Sequence, residues 1–391
     1  MKVTCPICKS SSLNSLLQVA EPTLQNRVYE TAAEANAAVQ GQINLTHCNA
    51  CNFTFNAAFD ESIIVYDEKY DNAVPSKLFI EYYHNICHYL FKKYDLEKGI
   101  VYDVGCGKGT FLKILCNLYP QVKGVGIDPS YEGDLNPTAN LTFIRDFFKT
   151  EHVLDKPSLI LSRHVFEHIE YPKEFLSIIR EPLQAYQDIP FFIEVPDFGW
   201  IVENQTFWDI CYEHCNYFSP HALANMCKND WSQLTSITPS FGDQYLWVEG
   251  VFNGKQHETT SFKSIDQNDL DKFVHSIESS QKNIADIIQE HKSQGSNIIV
   301  WGMATKGVIF SNKIDLHNQL IDHCIDINKE KQHKYSPISA HYIESPEVLT
   351  SLAGMHCLII IMNTNYVHEI KAEVASMNIQ AKFIDAHGRV L

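Results

Sequence analysis

The stretch VYDVGCGKGT, from Val101 to Thr110, decides the fold of the central part of this chain. An apolar run, Ile100–Val104, ends in three closely spaced glycines, and a helical pattern, Thr110–Leu118, begins directly after them. Glycines at such a turn let the backbone approach a ligand closely, and the first N–H groups of the helix point at it. The stretch therefore predicts a strand, a ligand-binding turn and a helix, the first unit of a Rossmann-like fold.

The sequence beyond this unit repeats the alternation of strands and helices. A helical stretch over 78–94 precedes the unit, and a longer one over 270–291 opens the C-terminal third of the chain. Strands that alternate with helices of this length are typical of parallel sheets in α/β proteins. We expect two separate parallel sheets, with strands at 100–104, 123–127, 159–162 and 191–194 in the first, and at 297–301, 320–326, 356–362 and 381–385 in the second.

These patterns divide the chain into three predicted domains. Residues 1–75 show little helical pattern, residues 76–260 carry the first alternation, and residues 261–391 carry the second. A length of 391 residues agrees with two or three domains, at about 100–200 residues each. We predict an α/β protein with an N-terminal zinc-binding module, a central Rossmann-like domain and a C-terminal Rossmann-like domain.

The charge balance of the chain is acidic. Its 31 Lys and Arg residues are outnumbered by 47 Asp and Glu residues, which gives a net charge of −16. A protein that grips a phosphate backbone needs a basic face, so we expect no nucleic-acid partner. No apolar run is long enough to cross a bilayer, and the N-terminus lacks the apolar region of a secretory signal. These features predict a cytoplasmic protein without membrane association.

Two C-x-x-C pairs lie in the first predicted domain: Cys5 with Cys8, and Cys48 with Cys51. Each pair brings two thiolates close enough to share one tetrahedral Zn²⁺, and two pairs complete a closed Cys₄ site. The alternative is a set of four unrelated buried thiols. Zinc is favoured because this segment holds little core of its own. A closed site leaves no open ligand position, which predicts a structural role.

The glycine-rich turn contains Gly105, Gly107 and Gly109. By itself such a turn fits either a dinucleotide or S-adenosylmethionine (SAM). Two carboxylates favour SAM. Asp103 stands two residues before the first glycine, as expected for a group near the methionine end of that donor. Asp128 ends the next strand, where a carboxylate can accept hydrogen bonds from both ribose hydroxyls.

A third signal for this cofactor is the pair Asp146 and Phe147, because a carboxylate and a flanking aromatic ring suit contact with adenine. The alternative for all of these residues is an ordinary Rossmann turn with exposed acidic side chains. We predict that SAM is the cofactor.

Two histidines, His164 and His168, follow the strand at 159–162 and lie four residues apart. On a helix this spacing could ligate a metal ion. Because the segment comes directly after a strand, we expect it to begin as a loop over the cofactor. Of the two, His168 is the better candidate for contact with a substrate.

The stretch DICYEHCNYFS, from Asp209 to Ser219, concentrates carboxylates, a histidine, two phenols and two thiols. A buried polar cluster is costly unless its groups are satisfied or used. His214 can accept a proton near neutral pH, and Glu213 can orient it or tune its charge. The alternative is a loop cluster whose groups satisfy one another.

A second turn of similar kind, WGMATKG, follows the strand at 297–301. It contains Gly302 and Lys306, and Asp326 ends the next predicted strand. A helix N-terminus with a lysine beside it can bind phosphate. The carboxylate then stands at the ribose position. By itself the pattern also fits a degenerate Rossmann domain that binds nothing.

Together these motifs resemble the sugar C-methyltransferases of deoxysugar biosynthesis, which include the tetronitrose and NDP-hexose 3-C-methyltransferases. The resemblance covers essentially the whole chain, and its specific parts are EHCNYFS, residues 213–219, and GMATKG, residues 302–307. It implies a class I SAM methyltransferase domain between a zinc module and a C-terminal Rossmann-like domain. The implied reaction is methylation at carbon of a nucleotide-linked keto-deoxysugar, the substrate that Gly302, Lys306 and Asp326 would bind.

The resemblance also implies roles for individual residues. His214 is the general base that forms an enolate, Glu213 stands beside it, and His168 faces the sugar. Tyr70 is a weaker match to a tyrosine on the substrate side. Where the family has a further tyrosine, this chain has a cysteine at 211, and Tyr212 follows one place later. Either the sugar differs or Tyr212 supplies the phenol.

Other classes of protein remain as alternatives. An O- or N-methyltransferase acting on a nucleotide sugar or another small molecule uses the same cofactor but needs no enolate stabiliser. A zinc-ribbon RNA methyltransferase needs a basic face, which a net charge of −16 makes improbable. A non-enzymatic scaffold has little use for Asp103, Gly105 and Asp128 together. We expect a monomer or a weak homodimer.

Overall fold

The computed structural model describes residues 2–65, 76–228, 232–253 and 262–391. Its helices are α1 (Ala32–Asn36), α2 (Lys77–Lys93), α3 (Thr110–Leu118), α4 (Pro172–Arg180), α5 (Phe198–Asn204), α6 (Pro220–Cys227), α7 (Gln267–Ser293), α8 (Thr305–Ile314) and α9 (Val367–Ala375). Its strands are β1 (Leu13–Pro22), β2 (Gln40–Cys48), β3 (Thr54–Asn56), β4 (Ile100–Val104), β5 (Lys123–Ile127), β6 (Leu141–Ile144), β7 (Leu159–Arg163), β8 (Ile189–Pro196), β9 (Asn216–Tyr217), β10 (Ser232–Ser240), β11 (Tyr245–Phe252), β12 (Asn297–Trp301), β13 (His323–Ile325), β14 (Ile343–Glu344), β15 (His356–Ile361) and β16 (Gln380–Asp385).

In the described part of the chain these strands form three sheets. The N-terminal sheet has the order β1-β2-β3-β9, the central sheet β10-β11-β8-β7-β4-β5-β6, and the C-terminal sheet β14-β13-β12-β15-β16. The N-terminal sheet is antiparallel, whereas the C-terminal sheet is parallel throughout. The expectation of a second parallel sheet is therefore confirmed.

The central sheet corrects the expectation of a purely parallel arrangement. Strands β4 to β8 are parallel, but β11 pairs with β8 in the antiparallel direction and β10 pairs antiparallel with β11. The strand β10, of sequence SQLTSITPS, is mostly polar and contains Pro239. Such an edge strand faces solvent in part and lacks the apolar run by which a buried strand is recognised.

The strand β13 is shorter than the 320–326 that the pattern predicts. The carboxylate of Asp315 accepts hydrogen bonds from the backbone N–H groups of Gln319, Leu320 and Ile321 at 2.7–2.9 Å. These donors are thereby engaged in a turn before the sheet begins. The Asp315 side chain therefore holds residues 319–321 in a turn, and the strand begins later than its apolar pattern predicts.

The strand β9 links the N-terminal sheet to the central part of the chain. Tyr217 pairs with Thr54, and Asn216 with Phe55. The segment from 209 to 219, predicted to carry reactive groups, is thus built onto the sheet whose strand β2 ends at Cys48, one of the four cysteines. The domain boundaries at 75 and 260 stay predictions.

Both α/β sheets change direction in their strand order, the central one between β4 and β7 and the C-terminal one between β12 and β15. In open α/β sheets ligands bind outside the carboxyl ends of the strands at such a point. A cleft of about 320 Å³ is lined by residues that follow both β7 and β12, including His164, His168, Gly302 and Lys306. Among the described helices none combines the length and apolar character needed to span a bilayer.

Candidate active site

The turn after β4 has the backbone that a bound cofactor requires. Gly105, Gly107 and Gly109 have φ angles of 78°, 53° and 71°, in the left-handed region that favours glycine. A Cβ atom at Gly105 would lie 2.3 Å from Val165, whereas one at Gly107 would enter open space. The turn is therefore closed on its protein side and open on the other. This shape fits the predicted SAM site.

Two carboxylates flank the turn. Asp103 is 3% exposed at the end of β4, and burial raises its pKa to about 6, with a contribution from Asp128 that Arg163 opposes. Asp128 accepts the Gly107 N–H at 2.8 Å, and its other oxygen accepts the N–H and hydroxyl of Ser130. The structure thus brings together Asp103, Asp128 and the glycine turn, as predicted.

The third predicted cofactor contact lies at the surface. Asp146 pairs with Lys149 at 2.5 Å and accepts the backbone N–H of Phe147 at 2.8 Å. The Phe147 ring is 70% exposed. A ring this exposed is available to an adenine, and its role there stays a prediction.

The four N-terminal cysteines form one cluster. The Sγ atoms of Cys5 and Cys51 lie 3.5 Å apart, as do those of Cys8 and Cys48, and all four atoms lie within 4.8 Å of one another. The Cys51 thiol lowers the pKa of Cys5 to about 5, while the pKa of Cys51 is itself raised. Four thiolates so close together need a cation, and this donor set fits one tetrahedral zinc ion.

Hydrogen bonds lock the two histidine-bearing segments together. His168 lies in a 3₁₀ turn, Phe166–His168, and its Nδ1 is 2.9 Å from the carbonyl oxygen of Glu213. Asn216 donates to the carbonyl oxygens of Phe166 and Ile169 at 2.9 and 2.6 Å. Asn216 is itself part of β9, so the N-terminal sheet contributes directly to the placement of this turn.

His214 lies beside His168 in the cleft. The ring centroids are 4.9 Å apart and the rings are nearly perpendicular. Burial lowers the pKa of His214 to about 3, and the neighbouring His168 adds to this effect, while Glu167 opposes it. His214 is therefore neutral near pH 7, the form in which an imidazole accepts a proton.

The carboxylate of Glu213 has a contact that its place next to His214 in the sequence does not reveal. Its Oε1 accepts the backbone N–H of Gln25 at 2.7 Å. The sequence did not identify Glu167 as a site residue, although it stands between the two histidines His164 and His168. A carboxylate oxygen of Glu167 lies within 4.8 Å of ring nitrogens of both His168 and His214, a donor set that could serve proton transfer.

The structure does not bring Tyr212 into the cleft. Its hydroxyl donates to the carbonyl oxygen of Asp60 at 3.1 Å and accepts the Asp60 N–H at 2.9 Å, and the residue is fully buried. The Tyr217 hydroxyl accepts a hydrogen bond from the Cys211 N–H and donates one to the Cys211 carbonyl oxygen, so both backbone groups of Cys211 are engaged. Tyr70 lies outside the described residues.

The predicted substrate-binding residues line the far side of the cleft. Gly302 has a φ of 107°. A Cβ on Gly307 would lie 2.0 Å from the carbonyl oxygen of Gly302, which shows that α8 approaches the turn after β12 closely. Lys306 lies 2.8 Å from Asp209, and Asp326 also borders the cleft.

Two further polar residues here were not identified from the sequence. Asn26 accepts a hydrogen bond from the buried Lys331 at 2.7 Å and donates to Thr305 at 3.0 Å. Asn26 and Lys331 belong to no local motif, and they reach α8 from distant parts of the chain. Only the folded chain brings them to the cleft.

Two family models match the chain. A model described as a methyltransferase domain matches residues 76–230, and one described as a C-methyltransferase C-terminal domain matches residues 253–386. The C-methyltransferase NovU of Streptomyces niveus is 23% identical over 316 residues, which cover 75% of this chain and 72% of NovU.

A second relative matches a shorter part of the chain. The malonyl-[acyl-carrier protein] O-methyltransferase of Paenibacillus sp. (strain JDR-2) is 21% identical over 145 residues, or 34% of this chain and 52% of the relative. Among solved structures, the plantazolicin methyltransferase BpumL in complex with SAH has a TM-score of 0.35 and 16% identity over 45% of this chain and 84% of its own.

The methyltransferase-domain model contains the glycine turn after β4, which is the predicted cofactor site. The first model spans strands β4 to β9, and the second spans the whole C-terminal sheet. The chain is a SAM-dependent methyltransferase, and it is similar to C-methyltransferases both in the family model that matches residues 253–386 and in NovU.

Proposed function

We propose that this enzyme transfers the methyl group of SAM to a carbon next to the ketone of a nucleotide-linked keto-deoxysugar. The observation that carries the proposal is the pair His168 and His214, 4.9 Å apart in a cleft that also contains the N-terminus of α8. The similarity to NovU, a C-methyltransferase, supports carbon as the acceptor.

The proposed chemistry requires a base and a way to stabilise an enolate. A C–H bond next to a ketone is a weak acid, so proton removal is slow without a positioned base. Neutral His214 takes the proton, and the electron pair remains on the sugar as an enolate. The enolate carbon then attacks the methyl group, for which the two reacting atoms must be held close and in line.

His168 has a defined role in this scheme only when it carries a proton on both ring nitrogens. Its Nδ1 faces the carbonyl oxygen of Glu213, which can only accept, so a neutral His168 has its single proton there. The other nitrogen, Nε2, donates to the enolate oxygen only in the imidazolium form. With Tyr212 outside the cleft, His168 takes the place of the expected phenol.

We assign the nucleotide end of the substrate to the C-terminal sheet. The N-terminus of α8 offers backbone N–H groups, and Lys306 and Lys331 add cations beside it. Asp326 borders the same cleft and is 7% exposed, which suits hydrogen bonds to ribose hydroxyls. Gly302 leaves room for the phosphate at the turn.

We also propose a structural zinc ion and a cytoplasmic location for this enzyme. Cys5, Cys8, Cys48 and Cys51 bind one structural Zn²⁺, which stabilises the sheet that β9 joins. A chain of free thiols suits the reducing cytoplasm. We further propose that it acts as a monomer or weak homodimer without nucleic acid.

The test is a product analysis. The enzyme is incubated with ¹³C-methyl SAM and a panel of nucleoside-diphosphate 4-keto-6-deoxyhexoses, and the position of the labelled methyl is read by NMR. We expect a new carbon–carbon bond next to the ketone. A labelled O-methyl or N-methyl group as the only product would favour the alternative, in which the same histidines deprotonate a hydroxyl or an amine.

A further inference from the structure

Glu167 is a buried carboxylate in the cleft for which the proposed reaction has no role so far. It is 1% exposed and lies in the 3₁₀ turn after β7, directly before His168. A carboxylate oxygen of Glu167, a ring nitrogen of His168 and a ring nitrogen of His214 all lie within 4.8 Å of one another. Its neighbours are therefore the two groups that the proposed proton transfer uses.

The two oxygens of Glu167 have different surroundings. Oε1 lies 3.4 Å from Nδ1 of His164, whereas Oε2 is buried and has no hydrogen-bond partner within the described residues. A buried acceptor left without a donor is destabilising, and more so when it is charged. We therefore look for a hydrogen-bond donor to Oε2 that forms only during the reaction.

The groups behind Glu167 keep it ionised. Burial alone would lower the pKa of His164, but Glu194 and Glu167 outweigh this effect and raise it to about 9. For Glu167 burial is the largest influence and acts to raise its pKa, but the His164 hydrogen bond and the charge of His168 reverse the sign. Contacts of alternating charge run through Arg163, Glu194, His164 and Glu167.

We propose that Glu167 is a positioning residue for the two histidines, and that its free oxygen accepts a hydrogen bond from the imidazolium formed during catalysis. The inference rests on the proposed function. When the C–H bond of the sugar breaks, its electron pair stays on carbon and the proton bonds to a ring nitrogen of His214. The enolate pair then forms the new C–CH₃ bond, while the S–CH₃ bond breaks and its pair returns to sulfur.

The charge of Glu167 matters in the first of these steps. The step creates a cation in a buried site, where His168 nearby would otherwise disfavour it. A fixed carboxylate at this distance stabilises that cation at the moment it forms, without any reorganisation of solvent. It also orients the imidazole through the hydrogen bond, as carboxylates that accept a ring N–H orient other histidines.

The test compares Glu167→Gln and Glu167→Asp with the parent enzyme. The Gln variant keeps the shape but loses the charge, whereas the Asp variant keeps the charge. Glu21→Gln is the matched control, because Glu21 is 2% exposed, pairs with Lys313 and is not among the residues that line the cleft. The readouts are kcat, KM, donor affinity, thermal unfolding and exchange of the sugar's α-proton with deuterated water when demethylated cofactor is present.

We expect Glu167→Gln to lower kcat and proton exchange together by about 10–100-fold, the usual effect of removing a carboxylate that orients a functional histidine. KM and donor affinity should change little, Glu167→Asp should recover part of the loss, and Glu21→Gln should resemble the parent. Unchanged exchange in Glu167→Gln would overturn the proposal. So would a loss of activity in both variants that follows lost donor binding or unfolding, since that result marks a structural role.

Measurements on the parent enzyme alone show whether the proposed function is wrong. If the parent methylates oxygen or nitrogen and exchanges no α-proton, the carbon assignment fails and this inference fails with it. If the parent exchanges the proton and Glu167→Gln does so equally fast, only the role of Glu167 is wrong.

Discussion

The side chain of His168 donates from Nδ1 to the main-chain carbonyl oxygen of Glu213, at 2.9 Å. A carbonyl oxygen can only accept, so the bond fixes which nitrogen of the neutral ring carries the proton. Nε2 is left for the cleft. The bond ties the turn after β7 to the segment before β9, and it brings two histidines far apart in sequence side by side, with ring centroids 4.9 Å apart.

His214→Asn tests the assignment of the base. Asn keeps a polar side chain of similar width but cannot take the proton, so we expect kcat to fall by about 10²–10⁴-fold. Affinity for the donor, measured by calorimetry, should stay within a few-fold of the parent. The variant should also lose exchange of the α-proton. Normal turnover in His214→Asn would move the base to His168.

Tyr212→Phe separates the structural role of this phenol from a catalytic one. The variant loses two hydrogen bonds to the backbone of Asp60, and we expect the free energy of unfolding to fall by about 1–3 kcal/mol. Urea unfolding measures the loss, and kcat measured well below the unfolding temperature should remain near that of the parent. A hundredfold lower kcat in a protein of unchanged stability would return Tyr212 to the catalytic residues.

Asp128→Ala tests the ribose contact. Loss of a charged acceptor for two hydroxyls should weaken SAM binding by about 1.5–3 kcal/mol in calorimetry. Because Asp128 also holds Gly107 and Ser130, Ser130→Ala serves as a control for the loop alone. Equal losses in the two variants would show that the loop, not the ribose contact, is responsible.

The raised pKa of Asp103 predicts a pH dependence of donor binding. Burial places this pKa at about 6, so the carboxylate is ionised above pH 6 and protonated below it. Only the ionised form attracts the ammonium group of SAM, so affinity should be full at pH 7.5 and about tenfold weaker at pH 5. Asp103→Asn should bind weakly at both pH values. A parent affinity that is flat between pH 5 and 7.5 would contradict this role.

Removal of the cysteine cluster tests the zinc proposal. The parent should contain about one zinc per chain, and Cys5→Ser with Cys48→Ser should contain none. We expect the free energy of unfolding to drop by more than about 3 kcal/mol, because loss of a structural metal is among the largest single effects on stability. Cys357→Ala, a buried thiol outside the cluster, controls for loss of a thiol. A doubly substituted protein that keeps the parent's stability would refute the proposal.

Local chemistry was enough to predict much of the fold. The strands Ile100–Val104, Lys123–Ile127 and Asn297–Trp301 and the helix Thr110–Leu118 have the predicted bounds. Glycine turns, apolar runs and helix caps each depend on a few consecutive residues, so a single sequence is enough to predict them. The same holds for the two C-x-x-C pairs, which the structure brings within 4.8 Å of one another.

The tertiary structure alone decided which side chains meet in the cleft. Glu213 and His214 are neighbours in sequence, yet Glu213 bonds to Gln25, and Glu167 approaches His214 from another segment. Tyr212 is engaged by Asp60, a residue of the N-terminal part of the chain. These pairings depend on how strands such as β9 cross from one part of the chain to another. Local sequence determines which groups are present, and long-range packing determines which of them remain free to react.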